Sequence, residues 1–292
     1  MLLESVAYAR PDTVAEALEL LSGTDGAAPL AGGQSLINVL KHRVASLELL
    51  VDISRLEELR TIDVGADGGL EIGACVTYDE LDHSDQVRTA LPLLAEVAGH
   101  IEDQQIRDRG TIGGNCCLSD PTNNLPPLLV ALGSTMVIAS TRGEREVPAE
   151  NFFHGYFTTA VEEGELLRSI RIPPLATSAG AGVGYSTVAV GADSKAIARA
   201  AALVRFNGTI EDARVVLACV SPTPLRHTGM EEALRGSQAT SDAVRAAAER
   251  IGDDLEPLGD AHGSAEYRRA MARVVAQRAV CQAIGEGGSY RG

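Results

Sequence analysis

Leu30-Ala31-Gly32-Gly33-Gln34-Ser35 runs from an apolar strand end into a double-glycine turn, and Thr111-Ile112-Gly113-Gly114-Asn115 repeats the arrangement further along the chain. Glycine admits positive φ and lets a backbone come close to a ligand. Successive N–H groups in such a turn form an anion-binding nest, and the Ser35 or Thr111 hydroxyl adds a donor. One such pair by itself reads as a tight turn. Two pairs with matching Ser/Thr and Asn/Gln flanks read as the two halves of a diphosphate cradle that needs few lysines. Arg107 and Arg109 flank the second turn, where they either add positive potential or pair with Asp103 and Asp108.

Upstream of the first turn the chain reads strand then helix: Thr13 and Glu16 form a T-x-x-E capping box, and Val14, Ala17, Leu18 and Leu21 follow at helical spacing. Leu36 to Val44 reads as a short helix and Leu49 to Ile53 as a buried strand. From residue 61 strands and helices alternate. Leu70 to Ala74 is a strand, Pro92 opens a helix, and Leu128 to Leu132 is a helix stopped by Gly133. Met136 to Ala139 and Ile170 to Ile172 are strands. Residues 174–184 are rich in Gly, Ala, Ser and Pro and read as a connector; Gly180, Gly182 and Gly184 lack dinucleotide-fingerprint spacing. Beyond it, Ala200 to Phe206 and Arg214 to Val220 flank Asn207-Gly208, a hairpin signal. Tyr267, Met271, Val274, Arg278 and Cys281 are expected on one face of a last helix closed by Gly285.

The chain has 292 residues, 45% hydrophobic and 22% charged, with 25 Lys and Arg against 40 Asp and Glu, a net charge of −15. Such length suits two domains at roughly 150 residues each, and such acidity argues against nucleic acid or anionic lipid as a partner. No run approaches the roughly 20 apolar residues of a membrane span. The start has no basic segment followed by a long apolar one, so no signal peptide is expected. The five cysteines have no C-x-x-C and no iron–sulfur or zinc spacing, which fits a reduced cytoplasmic protein and no metal ligands. Cys116 and Cys117 read as small buried hydrophobes. His100 reads as a helix-end residue. The acidic pairs Glu57-Glu58, Glu162-Glu163 and Asp253-Asp254 read as solvated. No nucleophile elbow or Ser-His-Asp set is present, so no catalytic side chain is assigned.

The chain resembles the FAD-binding medium subunit of molybdenum hydroxylases, the family of aerobic carbon monoxide dehydrogenase and, in one fused chain, xanthine dehydrogenase. The resemblance rests on Ala31 to Leu36, Leu50 to Ile53, and Ile106 to Asn115. It continues through Asp120-Pro121, Leu125 to Leu129, Gly164 to Leu167, Ile170 to Pro173 and Val220 to Arg226, in the family's order along nearly the whole chain. It implies an α+β fold. A two-lobed FAD-binding domain of the vanillyl-alcohol-oxidase-like (PCMH) type would span 1–175, with lobes of about 1–60 and 61–175. A smaller C-terminal domain, 176–292, would carry an antiparallel sheet and a helical bundle. It implies FAD held by Leu30, Ala31, Gly32, Gly33, Gln34, Ser35 and Leu36 and by Thr111, Ile112, Gly113, Gly114 and Asn115. Ile101 and Leu167, core residues on the sequence alone, fall where the family packs apolar side chains on the cofactor, and Tyr185 by its position either covers a flavin face or packs in the core. Asn124 stands where the family often has Asp. Tyr185 is followed by Ser186 and Thr187, with Lys195 the nearest lysine, so the flavin-edge contacts depart from the pattern.

The resemblance further implies a molybdenum–molybdopterin cofactor on a large partner subunit and [2Fe-2S] clusters on a small one, in a dimer of heterotrimers. Electrons would reach this chain's FAD from those clusters and leave to an external acceptor. Two alternatives remain at this level. One is a self-sufficient FAD-dependent oxidase or dehydrogenase, for which little chain is left to build a substrate pocket. The other is a non-catalytic nucleotide-binding protein. The substrate of the complex is not legible in this chain.

Overall fold

The structure is a computed structural model that describes residues 4–175, 180–190, 195–252, 255–257 and 259–287; Asp253-Asp254 lies outside the described residues. The first layer is a parallel sheet of β1 (Ala7–Ala9), β2 (Ala27–Leu30) and β3 (Leu49–Asp52), in the order β1-β3-β2. Helix α1 (Val14–Gly23) buries Val14, Ala17, Leu18 and Leu21 against it. Thr13 caps α1 by accepting the Glu16 N–H, but the Glu16 carboxylate reaches the Asp12 N–H instead of Thr13. The anticipated capping box is therefore only half formed. After β2 comes α2 (Leu36–Lys41), shorter than the stretch to Val44 anticipated. All three strands point the same way, so the first glycine turn emerges at the carboxyl end of the sheet, where ligands of parallel sheets sit.

The second layer is antiparallel: β4 (Ile62–Val64) and β5 (Leu70–Gly73) lie beside β10 (Leu166–Ile172), then β6 (Thr135–Ser140) and β7 (Gly143–Pro148). Between β5 and β6 the chain runs through α3 (Tyr78–His83), α4 (Asp85–Ala90), α5 (Pro92–Gly99), α6 (Gln104–Arg107), α7 (Ile112–Leu118) and α8 (Leu125–Ala131). A hairpin of β8 (Phe153–Gly155) and β9 (Thr158–Thr159) precedes β10. Ile72, Leu94, Ile112, Leu128, Met136 and Ile170 are fully buried in the large core beneath these elements.

The third sheet has the order β11 (Ala181–Ala189), β12 (Ala196–Asn207), β13 (Thr209–Ala218) and β14 (Leu225–Arg226), all antiparallel. It is covered by α9 (Thr228–Leu234), α10 (Ser241–Ala248) and α11 (Ala265–Ala283). Residues 181–184 are thus not a connector but the start of an edge strand. A Cβ on Gly182 or Gly184 would stand 1.8 or 1.9 Å from the carbonyl oxygens of Ala283 and Ala279, so these glycines let α11 lie directly on β11. The same contact corrects the face of α11. Cys281 is buried as expected and Met271 and Val274 are half-buried, but Tyr267 and Arg278 are exposed and Ala272, Val275, Ala276, Ala279 and Val280 are buried. Small residues go inward because the backbones are so close.

The large core runs on into the third sheet through Tyr185, Ala201 and Val216. Tyr185 is 1% exposed and its hydroxyl donates to the Asn124 carbonyl at 2.7 Å. Tyr185→Phe should lower stability by about 1 kcal/mol, the net worth of one such bond. Thermal unfolding should show a fall of about 2–4 °C.

Candidate functional site

The two glycine turns meet. A Cβ on Gly32 would lie 1.9 Å from the Arg109 carbonyl oxygen and 3.0 Å from Gly110 Cα, so the first turn rests on the backbone that leads into the second. Gly33 has φ +72, the left-handed region that strains other residues. Among the described residues, the N–H groups of Gly32, Gly33, Gln34 and Ser35 make no hydrogen bond, while the Gly33 and Ser35 carbonyls start α2 by accepting from Ile37 and Val39. Residues 31–37 are all partly exposed. Four successive open donors are the nest foreseen for the first turn.

The second turn differs from expectation. It is the first turn of α7, and its donors are already used. Ile112 N–H donates to Val76 and Gly113 N–H to Ala74, at 3.0 and 2.9 Å. Asn115 N–H donates to the Thr111 carbonyl, and Gly114 N–H to the Thr111 hydroxyl at 3.0 Å. A Cβ on Gly113 would lie 2.5 Å from that of Ala74, so this glycine serves the packing of α7 on the end of β5. Gly114 alone is exposed, and above it only the Thr111 hydroxyl comes near. Of the two open nests anticipated, one is present, and the second motif is instead a helical turn with its donors used and Gly114 exposed.

Asn115 is 7% exposed. Its Nδ2 donates to the Tyr78 hydroxyl at 3.0 Å, its carbonyl accepts from Asn123, and its Oδ1 is buried with no partner. Burial pushes the Tyr78 hydroxyl well above the ordinary tyrosine range, so it stays protonated. A buried amide oxygen without a donor is uncommon and marks a place where a ligand hydrogen fits. Asn124 is partly exposed at the start of α8, with no side-chain bond to its helix. Asn123, which the sequence did not single out, is the residue that ties this loop to the second motif.

Four anticipated contact residues have their side chains in the core. Ile101 and Leu167 are each 3% exposed, Ile112 0% and Tyr185 1%. Leu30 and Leu36 stay partly exposed beside the first turn. Cys116 is buried as foreseen, but Cys117 is exposed on the same side of α7 as Gly114. His100 caps the end of α5, as foreseen. Arg107 donates to the carbonyls of Ile101 and Glu102 and to Gln104, whereas Asp103 caps α6 and Asp108 accepts from Gln104. Arg109 is exposed and unpaired among the described residues, which leaves one cation where the turns touch.

The loop after α7 is held by the third sheet. Lys195 pairs with Asp120 at 2.9 Å, and Arg199 donates to the Thr122 carbonyl at 2.7 Å. Burial of Asp120 opposes its charge, but bonds from Thr122 and Lys195 outweigh it and hold the carboxyl below the usual range. Its contribution to stability is therefore present above the unfolded value, about 4, and lost as pH falls through the folded value. In denaturant titrations, wild type should exceed Asp120→Asn in stability at neutral pH, with the gap closing as pH falls below about 4.

A cavity of about 700 Å³ lined by Arg226, His227, Thr228, Glu232 and Arg250 shares no residue with the glycine turns. Among the described residues no cluster of His, Cys, Asp and Glu has the makings of a metal site, and no helix is long and apolar enough to cross a membrane.

Comparison with known proteins agrees in both halves of the chain. Residues 4–175 match the family model described as the FAD binding domain in molybdopterin dehydrogenase, and residues 185–283 match the CO dehydrogenase flavoprotein C-terminal domain. The carbon monoxide dehydrogenase medium chain of Hydrogenophaga pseudoflava is 40% identical over 277 residues, 94% of this chain and 95% of that one. The glyceraldehyde dehydrogenase medium chain of Sulfolobus acidocaldarius is 36% identical over 273 residues, 93% and 96% of the two chains. A solved carbon monoxide dehydrogenase from Hydrogenophaga pseudoflava, lacking the Mo-pyranopterin moiety, superposes with a TM-score of 0.93 at 38% identity, covering 99% of this chain and 100% of that one.

Proposed function

The chain belongs to the FAD-binding medium-chain family of molybdopterin dehydrogenases, and we propose that it is the FAD-carrying electron-transfer subunit of a heterotrimeric molybdenum hydroxylase, an oxidoreductase. Its partners are a large molybdenum–molybdopterin subunit and a small [2Fe-2S] subunit, and a dimer of such trimers is the assembly we infer. FAD, when bound, takes electrons from the [2Fe-2S] clusters and gives them to an external acceptor. The protein's share is binding and orientation.

The observation that carries this reading is the open N–H row of Gly32 to Ser35, on a turn that rests against the Arg109–Gly110 backbone leading into the second motif. The nest and the unpaired Arg109 suit a diphosphate, and the unpartnered Asn115 Oδ1 suits a hydroxyl or imide hydrogen of the same ligand. We assign FAD contact to Leu30, Ala31, Gly32, Gly33, Gln34, Ser35, Leu36, Gly114, Asn115 and Asn124, with Thr111 and Gly113 shaping the turn. We take 1–175, in lobes of about 1–60 and 61–175, as the FAD-binding domain and 176–292 as the C-terminal domain. A cytoplasmic location fits the five unbridged cysteines.

The relatives' names include both carbon monoxide and glyceraldehyde dehydrogenases, so the substrate follows from the large subunit and not from this chain. The test is anaerobic mixing of the FAD-loaded chain with a dithionite-reduced, desalted [2Fe-2S] subunit of its own complex. Rapid bleaching of the flavin absorbance is expected. An unchanged spectrum would overturn the electron-transfer role.

A further inference from the structure

Three segments converge at the far end of α7. Ser119 accepts a hydrogen bond from the Phe157 N–H at 3.2 Å and donates its hydroxyl to the Gly155 carbonyl at 2.8 Å. The Cys219 N–H donates to the Pro121 carbonyl at 3.1 Å. Across 115–126, 151–161 and 215–225 the only Asp, Glu, Lys or Arg is Asp120, and Lys195 pairs with it; the whole chain is 22% charged with a net −15.

On this ground, low in charge though bordered by Glu150, Glu162 and Arg226, the β8–β9 hairpin raises Tyr156 and Phe157, 45% and 67% exposed, in a chain with only six Tyr, four Phe and no Trp. The tip is rigidly mounted. Phe157 has φ +55 and Ser119 φ +50, conformations costing roughly 1–2 kcal/mol for residues other than glycine and kept in place by the bonds between them. Phe152 and Phe153 anchor the hairpin in the core, edge to face at 5.1 Å. A shallow groove lined by Ser119, Pro121, Phe153, Pro222 and Pro224 lies alongside. Exposed aromatics beside a proline-rich groove, whose one charged lining residue, Asp120, is paired with Lys195, are the composition of an interface core, and aromatic anchors supply most of the energy of such contacts.

We propose that the Tyr156–Phe157 tip and its proline-lined groove are the docking surface for the [2Fe-2S] subunit. This rests on the chain being the FAD subunit. The occupant follows from position. The subunit that delivers electrons must seat nearest the cofactor, and the tip is fastened to Ser119, one helix length of about 10 Å from the turn that carries Gly114.

The test is the full-length, FAD-loaded chain with Tyr156→Ser and Phe157→Asn together, titrated with the [2Fe-2S] subunit of its own complex. Asn tolerates positive φ, so the hairpin backbone is kept. Binding should weaken at least about 100-fold, as for two lost aromatic anchors, with FAD content and thermal stability unchanged. Tyr267→Ser, on the exposed side of α11, should bind as wild type. Affinity within about threefold of wild type would overturn the proposal, as would loss of binding to the molybdenum subunit alone. A wild-type chain that takes up no FAD would instead overturn the functional reading beneath it.

Discussion

Gly32→Ala should leave a chain that no longer retains FAD and is destabilised by about 3 kcal/mol, the upper range for forced overpacking. The added Cβ would stand 1.9 Å from the Arg109 carbonyl oxygen and 2.6 Å from its carbon, both backbone atoms that no rotamer change removes. The turn after β2 and the backbone entering α7 must then part. That separation moves the open donors of Gly32 to Ser35 away from Gly114, so one methyl group disrupts packing and ligand site together. Flavin content after gel filtration and a urea titration would check both effects. Normal FAD content would show that the contact between the two turns does not build the site.

Gly114→Val should separate ligand binding from folding. Its Cβ meets only the Thr111 hydroxyl, at 2.9 Å, and its methyls project from the exposed face of α7. The stability cost is that of a disturbed helix cap, about 1 kcal/mol. FAD affinity should fall at least ~100-fold, about 3 kcal/mol, because the methyls occupy the room a phosphate needs. Isothermal titration of the folded apoprotein with FAD would measure it. Gly33→Val is a poorer test, since φ +72 strains any substitution whether or not a ligand binds.

Much of this was legible before any coordinates. The double-glycine turns, the strand at Leu49 to Ile53 and the hairpin around Asn207-Gly208 announce themselves through local chemistry, since glycine and turn residues have few other uses. The donors of the second turn were not legible. They are taken by Ala74 and Val76, whose approach is a tertiary fact. The face of α11 was misjudged for a similar reason. Helical spacing of large residues points away from Ala279 and Ala283, yet it is there that the glycines of β11 bring the strand against the helix backbone. The signal was present in Gly182-x-Gly184, but it reads as a connector until the helix opposite is known. Tyr185, whose place suited a flavin face or the core alike, puts its ring in the core and its hydroxyl on the Asn124 carbonyl, a choice set by α8 across the third sheet.

The central claim is that this chain holds FAD between its two glycine turns. The visible absorption spectrum of the purified chain, before and after adding FAD, with acid release and identification of the chromophore, tests it most directly. Flavin bands that persist through gel filtration are expected, with FAD as the released species. A colourless chain that takes up no FAD would contradict it, and the electron-transfer role would fall with the cofactor.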